Sequence, residues 1–183
     1  KPAEAETGVS IKFEVAPEPG ITCAFAWTKG AGRELVISTA IDQDGLLEAD
    51  RKWCVDHHID ILEVTLRATG NYAPRGNKIG AAVDHNAAQW AAWIGRPLEG
   101  QWVKDLQAAL GWVAATYEET PVVTMLSRGA ALVPAVLTTA MQSRISRLVA
   151  IDPPLTLVSS QKYGEGYLGA ILPGMLANLG DLG

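Results

Sequence analysis

Residues 121–154, PVVTMLSRGAALVPAVLTTAMQSRISRLVAIDPP, constrain the fold more than any other stretch of the chain. An apolar run at 121–125 meets a Ser127-Arg128-Gly129 turn. A helix rich in small residues then runs to about Met141, and a second apolar run, 147–151, ends in Asp152-Pro153-Pro154. Strand, sharp turn, helix, strand is a βαβ unit, and its crossover makes the two strands parallel. Parallel strands are buried on both faces, so helices must cover the sheet.

The same alternation extends along the rest of the chain. Residues 10–15 and 21–27, separated by Pro17-Glu18-Pro19-Gly20, read as two strands of an antiparallel hairpin. Residues 34–39 read as a short buried strand, 45–58 as a helix closed by His57-His58, and 59–65 as a strand. Residues 67–77 hold Gly70, Pro74 and Gly76 and read as loop, whereas 79–93 read as helix. Residues 98–116 form a long amphipathic helix with Trp102, Leu106, Ala109, Leu110 and Val113 on its inner stripe. A Gly-punctuated tail, 155–183, carries one further helix over about 170–179. The pattern predicts an α/β fold: a mainly parallel twisted sheet flanked by helices, with an N-terminal antiparallel hairpin.

At 183 residues the chain suits one domain. With 48% apolar and 19% charged residues it reads as an ordinary globular protein, and a net charge of −5 without Lys/Arg clusters argues against nucleic acid. No run of 18 apolar residues suggests a membrane span. Cys23 and Cys54 read as buried free thiols, and no Cys/His cluster has metal-binding spacing. Trp90, Trp93, Trp102 and Trp112 lie at helical spacing and read as core rather than as a sugar platform. A doubly wound nucleotide-binding domain would place a Gly-rich turn after the first parallel strand, but STAIDQDG offers only Gly45. No cofactor is implied.

Five segments, in order, resemble α/β-hydrolases of the acetyl xylan esterase and dienelactone hydrolase type. They are EPGITCAFAW, LEVTLRATGNY, GRPLEGQWVKDLQAALGWV, the 121–154 stretch with its SRISRLVAIDPP end, and ILPGMLANLGDL. The resemblance covers nearly the whole chain. It implies a carboxylic-ester hydrolase scaffold, a carbohydrate ester as ligand, and a secreted or periplasmic location. It also implies that Arg67 orders the loop beside the site.

Against that pattern, several positions depart. The family's elbow reads Gly-x-Ser-x-Gly. In one register Ser127 is the nucleophile within Met125-Leu126-Ser127-Arg128-Gly129, and a Met crowds the following helix. In the other the nucleophile position falls on Gly129 within Ser127-Arg128-Gly129-Ala130-Ala131, with small residues at each packing position. The second is preferred, and it leaves no nucleophile. Ser127 then serves as a turn or cap hydroxyl, and Arg128 is a solvent-exposed arginine or an anion contact beside the helix N-terminus. After strand three, Ile41 and Asp42 occupy the approach where an oxyanion hole would form, and Gly45 comes late. Asp152 is a candidate acid, but His57, His58 and His85 all precede the elbow. The family's remaining acid and histidine follow strands seven and eight, which this sequence does not reach. The expectation is therefore a degenerate hydrolase domain, 1–183, lacking the last strands and serving as a structural or binding module of a larger esterase-like protein. The alternative is an active esterase whose acid and histidine lie outside this chain. With strands seven and eight absent, the strand at 147–151 becomes a bare edge, to be covered by more chain or by a second copy.

Overall fold

The computed structural model describes residues 6–41, 45–153, 156, 167–171, 174 and 177. Its strands are β1 (Ser10–Glu18), β2 (Ile21–Thr28), β3 (Glu34–Ala40), β4 (Asp60–Thr65), β5 (Val122–Arg128) and β6 (Ile145–Ile151). Its α-helices are α1 (Glu48–Asp56), α2 (His85–Trp93), α3 (Leu98–Thr116) and α4 (Leu132–Met141). The strands form a single sheet in the order β1-β2-β4-β3-β5-β6. β1 pairs antiparallel with β2, and β2 antiparallel with β4; β4, β3, β5 and β6 run parallel to one another. The fold is thus the mixed, mainly parallel α/β sheet with an antiparallel front hairpin that the sequence pattern predicts.

Alternation along the strands sends the two sides of the sheet to different cores. Phe25, Trp27, Ile37, Leu62, Val64, Val123 and Met125 pack with Trp102, Leu106, Ala109, Leu110 and Val113 of α3 and with Val133 and Ala135 of α4. Val36 and Ile61 pack with Leu46 and Cys54 in a small second cluster beneath α1. Among the described residues, three helices therefore pack on one face and a single short helix on the other. Under the hairpin, Trp112 of α3 stacks on Phe13 with centroids 5.0 Å apart and meets Trp27 edge-on at 5.8 Å. Both cysteines are buried free thiols.

Several element boundaries differ from the sequence reading. β1 continues through Pro17 to Glu18, with an irregular register between Val15 and Glu18 that absorbs the proline. α1 starts three residues later than expected, at Glu48. Residues 79–84 are not helical: Ile79 and Ala82 form an isolated bridge around Gly80, whose φ of +62° ends any helical path, and α2 begins only at His85. β5 does not turn at Ser127-Arg128. Its ladder runs on through Thr39↔Ser127 on one side and Arg128↔Ile151 on the other. β6 begins earlier, at Ile145. Of the tail helix expected over about 170–179, only 170, 171, 174 and 177 are among the described residues: Ala170 ends a 3₁₀ turn, Gly174 is in a turn and Ala177 is helical. Trp102 is fully buried, but Trp90 and Trp93 are 51% and 75% exposed, because only Ala88 and Ala91 of α2 reach the core.

Within α3, Glu99 is fully buried and neither carboxyl oxygen has a hydrogen-bond partner. Burial pushes its pKa up to about 8, from an ordinary value of 4.5. Between those values the folded state holds a proton that the unfolded chain releases, so stability falls as pH rises from 5 to 8, by at most about 1.4 kcal/mol per unit. Glu99→Gln keeps the shape and removes the titration. Denaturant melts of both proteins should therefore differ little at pH 5 and diverge at pH 8, with E99Q the more stable. A gap that stays constant across this range would show that Glu99 does not titrate in it.

Candidate functional site at the carboxyl edge of the sheet

Because β3, β4, β5 and β6 are parallel, the residues that follow them share one edge: Ile41, Arg67, Gly129 and Asp152. Arg67 is the most firmly fixed of these. Its backbone N–H donates to Asp105 Oδ2 at 2.9 Å, its Nε to Oδ1 at 2.8 Å and its Nη2 to Oδ1 at 2.5 Å. Asp105 is fully buried and Arg67 nearly so. The Arg67 carbonyl accepts the Trp102 indole N–H at 2.8 Å, which locks this loop onto α3. Arg67 Nη1 also reaches Gln101 Oε1 at 3.2 Å and Glu18 at 3.5 Å. Glu18 takes further bonds from Arg96 and from Lys104, the latter at 3.1 Å, and these hydrogen bonds hold its pKa down to about 2. Hairpin, β4 loop and α3 are joined through this one network.

On the neighbouring strand, Ser127 lies inside β5 and is fully buried, with its Oγ unpartnered. The sharp turn falls instead at Gly129, whose φ is +58°; it follows the last residue of β5 and opens a 3₁₀ turn, Gly129–Ala131, that leads into α4. A left-handed residue between a parallel strand and the next helix is the backbone shape of a nucleophile elbow, and here its side chain is a hydrogen. Ala131, Val133 and Ala135 pack the following helix against the sheet. Arg128 is not solvent-exposed, as the sequence reading allowed. Its side chain is 10% exposed, its Nε is unpartnered, and Nη1 meets Asp152 Oδ2 at 3.3 Å. Asp152 has φ +48°, and its side chain is 83% exposed. Ile41 is buried, while Asp42 lies outside the described residues. Among the described residues, no group of three or more His, Cys, Asp or Glu side chains could hold a metal ion.

Sequence reasoning did not single out the cleft of about 550 Å³ that opens on the α1 side of this edge. Its floor is a cross-strand row, Lys12, Ala26, Glu63 and Ser38 on β1, β2, β4 and β3. Arg51 of α1 grips Glu63 through Nη2 at 2.7 Å and Nε at 3.0 Å. Thr69, Asn71 and Tyr72 form the end wall, in the loop that Arg67 anchors. The small residues Ala24 and Ala26 leave this space open, and that was the available sequence signal.

No family model matches the chain, and no curated protein sequence matches it. Solved structures do. An esterase from Pyrococcus furiosus superposes with a TM-score of 0.56 at 15% identity, covering 80% of this chain and 51% of that one. An acetyl xylan esterase from Paenibacillus sp. R4 gives 0.55 at 10% identity, covering 83% and 56%. A dienelactone hydrolase-like promiscuous phosphotriesterase from metagenomic libraries gives 0.56 at 12% identity, covering 83% and 62%. The chain therefore has an α/β-hydrolase-like fold. It is similar to esterases of the acetyl xylan esterase and dienelactone hydrolase type, and spans about half the length of the first of them.

Two predictions follow from this geometry. Asp105→Ala leaves the Arg67 guanidinium buried and uncompensated and should cost about 3–5 kcal/mol, whereas replacing both partners by apolar residues should cost less than the sum of the single changes. A double-mutant cycle of denaturant melts reads both values. The second concerns the turn. Burial raises the pKa of the native thiols, that of Cys23 to about 12, so both are poor nucleophiles. Gly129→Cys should react with a thiol reagent at least about tenfold faster than Ser127→Cys. Equal rates would show that Ser127 is as accessible as the turn.

Proposed function

We infer that this is a non-catalytic α/β-hydrolase-like domain, a structural or ligand-binding module of a larger esterase-like protein. The observation that carries the reading is the glycine at the left-handed turn between β5 and α4. At that position a hydrolase needs a hydroxyl or thiol aimed out of the strand edge, with an imidazole in reach. The hydroxyl of Ser127 lies two residues earlier, inside a strand paired on both sides, fully buried and without a hydrogen-bond partner. A buried hydroxyl inside a ladder cannot approach a carbonyl carbon without breaking the strand. Asp152 is engaged by Arg128 rather than by a histidine.

The cleft beside the turn is what remains for binding. Its polar lining, with threonines, an asparagine, a tyrosine and a charge-paired floor, suits a hydroxyl-rich ligand such as a carbohydrate ester better than an apolar one. The experiment is incubation of the pure chain with a chromogenic acetyl ester and, separately, with a serine-directed phosphonate. No turnover and no covalent adduct are expected. Turnover abolished by Ser127→Ala, or an adduct on Ser127, would restore the alternative, an active esterase completed by groups outside this chain.

A further inference from the structure

We propose that the cleft on the α1 side reads the free neighbouring hydroxyls of a sugar ring, seated over Ala24 and Ala26 between Glu63 and Lys12. This rests on the reading of the cleft as a site for a hydroxyl-rich ligand, and says which part of that ligand is recognised. Lys12, Ala26 and Glu63 are directly opposed across β1, β2 and β4. Their side chains therefore share one face, and Lys12 and Glu63 stand roughly 10 Å apart. The residue between them is an alanine, and Ala24 lines the same floor. Its methyl group leaves a gap bounded by a carboxylate on one side and an ammonium on the other. Among the described residues, Lys12 is exposed and meets no carboxylate.

Glu63 sets the chemistry. Arg51 donates to both of its oxygens, Nη2 to Oε1 at 2.7 Å and Nε to Oε2 at 3.0 Å. The guanidinium fixes the plane of the carboxylate and leaves each oxygen a further lone pair. Those lone pairs accept and do not donate, so they call for hydroxyl hydrogens. Two neighbouring hydroxyls of a sugar supply such a pair of donors. The Lys12 ammonium, a donor only, takes a hydroxyl oxygen at the opposite side of the ring. Tyr72, exposed on the end wall, adds an amphipathic ring suited to a ligand with both C–H and O–H edges. An O-acetyl group on either hydroxyl removes a donor and brings a carbonyl oxygen toward the carboxylate. The cleft therefore discriminates against acylation at these two positions, irrespective of any ester elsewhere on the ligand.

The test is an NMR titration of the isotope-labelled 183-residue chain with the methyl glycosides of glucose, galactose, mannose and xylose. Each is added free and in a form whose neighbouring ring hydroxyls are acetylated. The amide spectrum also shows that each variant is folded. At least one free glycoside should saturate with a Kd below about 10 mM, moving the amides of Ala24, Ala26 and Glu63. Acetylation should weaken that binding at least about tenfold. Ala26→Leu, which fills the gap, should weaken it at least about tenfold, and Lys12→Met about threefold or more. Equal affinity for the acetylated form overturns the proposal while leaving an ester-binding cleft standing. Binding unmoved by both A26L and K12M puts the ligand elsewhere and also overturns it. Failure of all four free glycosides to saturate overturns it together with the wider reading of the cleft.

Discussion

The buried ion pair between Arg67 and Asp105 holds the carboxyl edge of this sheet in place. A salt bridge taken out of water is not stabilising in itself, because desolvating both charges offsets most of their attraction. Its effect here is to fix one arrangement. Three donors of one arginine, its backbone N–H, Nε and Nη2, meet one carboxylate, and the same residue's carbonyl takes the Trp102 indole N–H. The loop after β4 thereby has one orientation against α3. The Glu18 contacts extend that constraint to the hairpin. Thr69 to Tyr72 start two residues beyond Arg67, so the end wall of the cleft inherits its position from a contact on the opposite side of the sheet.

The backbone shape at the turn has a packing explanation. A parallel strand that feeds a helix lying back on its own sheet must reverse direction within one residue, and a left-handed φ does that at least cost when the residue is glycine. Ala131, Val133 and Ala135 then let α4 approach β5 closely. None of these requirements involves a nucleophile. Steric demands are thus enough to account for the elbow shape, and the resemblance to esterases speaks for the scaffold.

Much of this was legible in the sequence because burial imposes periodicity. The α3 stripe, Trp102 through Val113, is buried as read, since a helix between a sheet and neighbouring helices has one apolar face. The small residues after Gly129 lie where the strand gives way to the 3₁₀ turn and α4. What the sequence hid depended on partners far along the chain. Ser127 and Arg128 look like turn residues locally, yet β3 and β6 extend the ladder through both. Residues 79–84 look helical by composition, but Gly80 takes a left-handed φ and Asp84 is recruited elsewhere, accepting the N–H groups of Leu168 at 2.9 Å and Gly169 at 2.6 Å. Trp90 and Trp93 have core-like chemistry on the outer side of α2, and spacing alone does not say which side of a helix faces in. The cleft showed in the sequence only as the small residues Ala24 and Ala26, whose meaning depends on strands paired far along the chain.

Among the described residues, the two faces of the sheet are covered unequally. On the α3 side, Val123, Met125 and Ser127 are sealed under α3 and α4. On the α1 side, one nine-residue helix covers β3 and β4, and the row that begins at Lys12 runs on through Leu126 to Val149 with no helix over its last two members among the described residues. Toward β1 and β2 this row is polar or small, and it lines a cleft that water tolerates. Toward β6 it is apolar, with Leu126 and Val149 as its last members. Water solvates the first half at little cost but not the second, because each exposed aliphatic side chain there forgoes the roughly 1.5–3 kcal/mol that full burial would bring. The same sheet face thus divides into a half that water solvates and a half that favours burial.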